Sequence, residues 1–260
     1  MKPVEFASFV NDLATKSGQV ILPFFRTSLS AEDKSRGGVF DPVTEADRAG
    51  ELAMRSMITT MFPSHGIVGE EFGSEKADSE FVWVLDPIDG TRAFMAGLPL
   101  WGTLIGLMRN GAPAYGLMHQ PFIGERFFGD GGSAGYVGPH GERRLTTRRC
   151  RTLADAVMST TSPRLFGDEA MAGYERVEAS VKLTRYGYDC YAYCMLAAGH
   201  LDLVVESGLK SYDIVPLIPI IEGAGGIVTS WDGGPATEGG SILACGDKRL
   251  HAELVALLRG

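Results

Sequence analysis

The sequence predicts a mixed α/β protein built as two lobes that share one body. Three observations carry that expectation: an amphipathic helical opening, a middle section of apolar strands joined by glycine-rich turns, and a final section in which short strands alternate with helices. The N-terminal lobe is drawn over residues 1–148 and the C-terminal lobe over 149–260. No low-complexity linker and no fixed-period repeat separates them.

Phe6, Phe9, Val10, Leu13, Ile21, Phe24 and Phe25 recur at helical intervals, so residues 4–26 read as one long amphipathic helix. A second helix begins near Thr44, where TEAD fits a capping box with Asp in place of Glu, and runs to about Met61. FVWVL at 81–85 is rich in valine and aromatics and is followed by Pro87, which marks a buried strand ending in DPIDG. TLIGLMR and PAYGLMH flank Asn110 and Gly111, the strongest short signal for a hairpin, and further strand pairs continue to about residue 148. From residue 153, VMSTT, LDLVVE, GIVTSW and SILAC read as strands between helical stretches at 166–181, 189–199, 213–224 and 247–258. Pro219 falls inside the third of these stretches and predicts a kink there.

Composition removes several function classes. The 260 residues carry 24 Lys plus Arg against 32 Asp plus Glu, a net charge of -8 that disfavours nucleic acid as a partner. No apolar run approaches the roughly 18 residues of a membrane span, and Glu5, Asp12 and Lys16 interrupt any signal-peptide core, so a cytoplasmic chain is expected. Cys150, Cys190, Cys194 and Cys245 form no CxxC pair and read as reduced and buried. The five histidines occur singly, without the spacing of a zinc helix, so any metal here must be held by oxygen.

Four acidic stations stand out: Asp41 to Asp47 in DPVTEAD, Glu70 and Glu71 in GEEF, Asp86 and Asp89 in DPIDGT, and Asp213 in SYDIVPL. DPIDGT is the most informative. Asp86 closes an apolar strand, Pro87 and Gly90 force a turn, and Gly90 and Thr91 open a helix whose N–H groups suit an anion. Two carboxylates so close on one turn resist ionising together unless a hard divalent cation sits between them, and magnesium with oxygen ligands fits that need. In isolation DPIDGT also reads as an Asx turn with a helix cap, GEE as a solvated face, and Asp213 as a plain helix start. No P-loop and no GxSxG elbow is present, and the Asp86–Asp89 spacing is one too long for an aspartyl-nucleophile phosphatase. GDGGSA at 129–134 imitates a dinucleotide fingerprint, yet no helix pattern follows it.

Taken in order, DPVTEAD, GEEF, WVLDPIDGTRAF and YDIVPLIPIIEGAGG resemble the inositol monophosphatase family of magnesium-dependent phosphomonoesterases, over nearly the whole chain. The resemblance implies a layered αβαβα sandwich, usually a homodimer, acting on a small-molecule phosphate ester with two or three Mg²⁺ per active site. It makes Glu70, Asp86 and the carbonyl of Ile88 ligands of one magnesium, and Asp86, Asp89 and Asp213 ligands of a second, with Glu70 helping a third. Thr91 and Glu70 would orient the attacking water, Asp47 would steady Thr91, and the N–H groups of Gly90 and Thr91 would meet the phosphate.

The substrate reading rests on departures from the inositol-specific pattern. Ala93 and Tyr212 stand where those enzymes commonly carry Asn and Trp, and RAFMAGLPLWGTLIGL with RYGYDCYAYCMLAAGHLDLVVE is more similar to the histidinol-phosphatase members. Asp189 takes a place usually given to a small residue, and Glu206, seven before Asp213, matches a glutamate that contacts substrate hydroxyls. Two such acids suit a cationic leaving group, and Arg185 would buttress them or touch substrate. The alternatives are that Asp189 only caps a helix and Glu206 faces solvent. Two other functions stay open: an inositol or broad sugar phosphatase, and an interaction protein of the transcription machinery.

Overall fold

The computed structural model describes residues 3–27, 32–33, 42–43 and 45–260. Asp41 and Thr44, and with them the expected capping box, lie outside the described residues. The first half runs α1 (Pro3–Ile21), β1 (Glu32–Asp33), β2 (Pro42–Val43), α2 (Glu45–Met61), β3 (Gly66–Gly69), β4 (Gly73–Glu75), β5 (Phe81–Asp89) and α3 (Thr91–Met95). It continues through β6 (Gly102–Arg109), β7 (Ala112–Gln120), β8 (Glu125–Gly129), β9 (Ala134–Gly138) and β10 (Gly141–Arg144). The second half holds β11 (Val157–Thr160), α4 (Asp168–Glu178), β12 (Leu183–Tyr186), α5 (Asp189–Ala197) and β13 (Leu203–Leu209). Then come α6 (Ser211–Ile214), α7 (Ile218–Gly223), β14 (Ile227–Ser230), β15 (Gly240–Cys245) and α8 (His251–Arg259).

Eight strands pair in the order β10-β9-β8-β7-β6-β5-β3-β4, and five in the order β12-β11-β13-β15-β14. Helices α1 and α2 cover the outer face of the large sheet, where Val10, Leu13, Met54 and Ile58 pack on Trp83, Leu85 and Leu117. Between the sheets, Tyr193 and Leu196 of α5 and Ile220 and Ile221 of α7 meet Met118 and Phe127 on one side and Val204 and Ala244 on the other. Helices α4 and α8 close the far face, with Tyr174, Val177, Leu254 and Leu258 on Met158, Leu203 and Leu243. The result is the αβαβα sandwich. Both faces of β13 are covered, so Leu203 and Val205 point one way and Val204 the other; that is why LDLVVE is apolar without alternation.

Three glycines set how closely the middle layer approaches. Gly106, Gly116 and Gly129 stand in register across β6, β7 and β8 and leave a smooth lane on the large sheet. The chain from Pro216 to Ile220 lies in it: a Cβ on Gly116 would come within 1.7 Å of the Pro216 carbonyl, and one on Gly129 within 2.5 Å of the Pro219 carbonyl. That lane seats the segment just after Asp213, so packing on β6–β8 fixes where this acid stands.

The hairpin at Asn110 and Gly111 forms as expected, with both residues at positive φ, 50° and 78°. Two helical expectations are corrected by proline. The opening helix is α only to Ile21 and tightens into a 3₁₀ turn at Leu22–Phe24, because Pro23 has no N–H to continue the ladder. The stretch 213–224 is two short helices, and Pro219 lies in the first turn of the second, where its missing N–H costs nothing, so it kinks no helix. GDGGSA makes the turn between β8 and β9, where the Asp130 carboxylate accepts from the N–H groups of Gly132 and Ser133 at 3.0 and 2.7 Å. All four cysteines are free and buried. No helix among the described residues is long and apolar enough to cross a membrane.

Candidate active site

Strand β5 delivers two carboxylates to one place by breaking its own period. Residues three apart on a regular strand point to opposite faces. Here Asp86 pairs with Leu104 and Asp89 with Gly102, so β5 carries one extra residue between them. That bulge restores the parity and turns both side chains to the same side. The Asp86 carboxylate accepts from the Ile88 N–H at 3.0 Å, which fixes its rotamer inside the turn.

Asp213 completes the group from the opposite wall. It is the third residue of α6, and its carboxylate accepts from the Lys210 N–H at 2.7 Å, so it caps that helix and faces β5 as well. Oxygen atoms of Asp86, Asp89 and Asp213 all lie within 4.8 Å of one another. Burial first, then the charges of Glu70, Asp89, Asp213 and Asp47, push Asp86 well above the usual carboxylate range. Asp89 is pushed up by burial and by Asp189 and Asp213, against hydrogen bonds from Cys190 that favour its charged form, its N–H donating at 2.6 Å.

These acids open onto a cleft of ≈ 300 Å³, large enough for a small ester, lined also by Glu70, Gly90, Thr91, Arg92, Thr161, Asp189, Tyr193, Glu206, Lys210 and Tyr212. Among the described residues six acids line it against two basic side chains, Arg92 and Lys210, a surplus that favours a cation there over a phosphate alone. An all-oxygen donor set with this charge excess fits a hard divalent cation, which would neutralise the acids and admit an anion.

Gly90 precedes α3 in the left-handed region at φ 90°, a conformation that favours glycine, and this aims the start of α3 into the cleft. The Thr91 hydroxyl donates to the Ile88 carbonyl at 3.1 Å, which leaves its oxygen lone pairs to accept. Asp47 is buried in the first turn of α2, near enough to add its charge to Asp86. Glu70 follows β3, and its backbone N–H donates to the Leu85 carbonyl at 3.2 Å.

Glu206 does not face solvent. It is buried on β13 and accepts from the Thr161 N–H at 2.6 Å, the Thr161 hydroxyl at 2.9 Å and the Thr160 hydroxyl at 3.3 Å. Burial still lifts its pKa to about 8, with the charge of Asp189 adding to the rise. Asp189 opens α5 at φ 44°, and burial raises it to about 6 while Arg92 and the Thr161 hydroxyl hold it down. Arg185 is not brought to the cleft lining: it is exposed on β12, and its Nε donates to the Tyr188 hydroxyl at 3.0 Å, next to Asp189.

Glu51 was not legible as a site residue, yet it holds the Glu70 segment in place. Fully buried on α2, it accepts from the N–H groups of Glu71 at 2.7 Å and Phe72 at 3.2 Å, and pairs with Arg55 at 2.7 Å. A Cβ on Gly69 would strike its carboxylate at 2.0 Å, so glycine there is what lets it reach across. In sequence it looks like an ordinary i,i+4 surface pair with Arg55.

The sequence model of the inositol monophosphatase family matches residues 2–260. The chain belongs to that family. It is 44% identical over 264 residues to a chloroplastic bifunctional phosphatase of Arabidopsis thaliana, covering 97% of this chain and 75% of the relative. A histidinol-phosphatase of Chlorobaculum parvum is 31% identical over 248 residues, covering 95% of this chain and 94% of that one. The solved structure of an inositol monophosphatase from Zymomonas mobilis superposes with a TM-score of 0.88 at 38% identity, covering 100% of both chains. A phosphatase of this family is thereby supported, and the acidic cluster sits where the fold opens its cleft.

Proposed function

We propose that this protein is a Mg²⁺-dependent phosphomonoesterase whose preferred substrate is L-histidinol phosphate, released as L-histidinol and inorganic phosphate by direct attack of water. The observation that carries the reading is a second pair of carboxylates, Asp189 and Glu206, in the same cleft as Asp86, Asp89 and Asp213. Neither is needed to complete the acidic trio, and both suit an ammonium or imidazolium leaving group. The histidinol-phosphatase of Chlorobaculum parvum at 31% identity is consistent with it.

Asp86, Asp89, Asp213, Glu70 and the Ile88 carbonyl would hold Mg²⁺. When bound, the metal supplies positive charge for the phosphate and acidifies water at neutral pH, which removes the need for a histidine base. The residues of the chain do the rest. The Thr91 hydroxyl, its own proton committed to the Ile88 carbonyl, accepts from the attacking water together with Glu70 and orients it toward phosphorus; Asp47 steadies this arrangement. The N–H groups of Gly90 and Thr91 bind phosphate oxygens. Asp189 and Glu206 hold the cationic end of the leaving group, whose charge favours the ionised form of Glu206 against the burial that otherwise keeps it protonated, with Arg185 acting on Asp189 through Tyr188.

A panel of phosphate esters, assayed with and without Mg²⁺ for the native enzyme and Asp189→Ala, tests this reading. Preference for histidinol phosphate over inositol 1-phosphate should fall sharply in the variant. No preference in the native enzyme, or one that the variant leaves intact, overturns the assignment. Inositol or broad sugar phosphate hydrolysis is the second reading, favoured by the 38% identity to the Zymomonas mobilis inositol monophosphatase.

A further inference from the structure

Tyr193 lies one turn after Asp189 on α5, on the same side of the helix, and lines the cleft. Its side chain is 3% exposed, and its hydroxyl has no hydrogen-bond partner among the described residues. Other tyrosines of this protein are treated differently. Tyr136 and Tyr191 both donate to Glu125, and Tyr174 and Tyr186 both donate to Glu178. A buried hydroxyl without a partner is destabilising, and phenylalanine would pack the same space without that penalty. The hydroxyl at position 193 therefore stands out as a group kept for a ligand.

Its surroundings say which ligand. Burial, then the charges of Glu206, Asp89 and Asp213, raise its pKa well above the ordinary value, so it stays a neutral phenol. A neutral phenol offers one proton and two lone pairs. A protonated amine or imidazolium carries N–H donors and no acceptor on its nitrogens, so the lone pairs are what the phenol can offer it. Carboxylates alone supply charge to a cation without distinguishing one cation from another. A phenol oxygen adds a directional acceptor for an N–H.

We propose that the Tyr193 hydroxyl is a specificity contact, accepting a hydrogen bond from the protonated amino or imidazole nitrogen of the leaving group; this rests on the cationic-ester reading above. The test is Tyr193→Phe, assayed in Mg²⁺ with L-histidinol phosphate and with p-nitrophenyl phosphate, which carries no N–H donor. The ratio of kcat/KM between the two esters should fall about tenfold, equivalent to about 1.4 kcal/mol, through a higher KM for histidinol phosphate. Thermal melting should show Tm unchanged or raised, since the hydroxyl makes no bond among the described residues.

A ratio within about twofold of native overturns the role of Tyr193, while the native preference and its loss in Asp189→Ala leave the cationic-ester reading standing. A native enzyme that does not prefer histidinol phosphate overturns both. An equal loss on both esters also overturns the proposal, because it would place the hydroxyl in general support of the site.

Discussion

Replacing Asp86 with asparagine should make the metal-free protein more stable. Oxygen atoms of Asp86, Asp89 and Asp213 lie within 4.8 Å of one another, and at an effective dielectric of about 20 each charged pair at that distance costs about 3.5 kcal/mol. Asp86 takes part in two such pairs and also feels Glu70 and Asp47. The native protein relieves part of this by holding protons at raised pKa values, so the amide recovers a fraction, roughly 1–3 kcal/mol at pH 8. Asparagine keeps the acceptor that the Ile88 N–H uses, so the turn survives the change. For a chain of this size that is a rise in Tm of about 3–10 °C in EDTA. In saturating Mg²⁺ the order should reverse, because a ligand at about 1,000 times its Kd adds about 4.1 kcal/mol to the native protein and far less to the variant. Calorimetric melts of both proteins in EDTA and in Mg²⁺ measure all four states. Asp86→Asn less stable than native in EDTA, or an equal Mg²⁺ response in both, would mean that the acids do not strain the empty site or that Asp86 does not hold the metal.

Glu206 in the wall of the cleft and Glu51 behind the Glu70 segment are each open to a single substitution. Glu206 holds a proton up to about pH 8 when folded, against an ordinary value near 4.5, so the folded state binds more protons in that window and loses stability as pH rises through it. Urea denaturation of the metal-free protein between pH 5 and pH 9 should show a steeper loss for native than for Glu206→Gln, by at most roughly 5 kcal/mol; identical slopes would contradict the burial of that acid. Glu51→Gln weakens the bond to Arg55 and those to the Glu71 and Phe72 N–H groups, so kcat should fall at least about tenfold as Glu70 loses its position. Unchanged kcat in a folded variant would remove Glu51 from the account.

Much of this was readable because the strongest local signals agree with the global fold. FVWVL, the Asn110-Gly111 turn and the helical spacing of Phe9, Val10 and Leu13 each name an element that packing then keeps. The DPIDGT acids were legible as neighbours, but the bulge that turns both to one face is visible only in the pairing with β6. Strand β12, LTRY, escaped the reading because it is a four-residue edge strand with an arginine and exposed Leu183 and Tyr186, so no alternation marks it. Glu51 and Tyr193 were hidden for a related reason. One resembles a surface ion pair and the other a core aromatic, and only contacts distant in sequence reveal what they face. Arg185 shows the reverse: a residue placed near the site in sequence whose side chain turns to Tyr188.

Anomalous diffraction from crystals soaked in Mn²⁺, a stand-in for magnesium, shows whether these acids bind a divalent cation. Peaks are expected about 2.0–2.2 Å from carboxylate oxygens of Asp86, Asp89 and Asp213. Ordered crystals with no peak at those three acids, at a Mn²⁺ concentration that supports phosphate release in solution, would contradict their role as ligands.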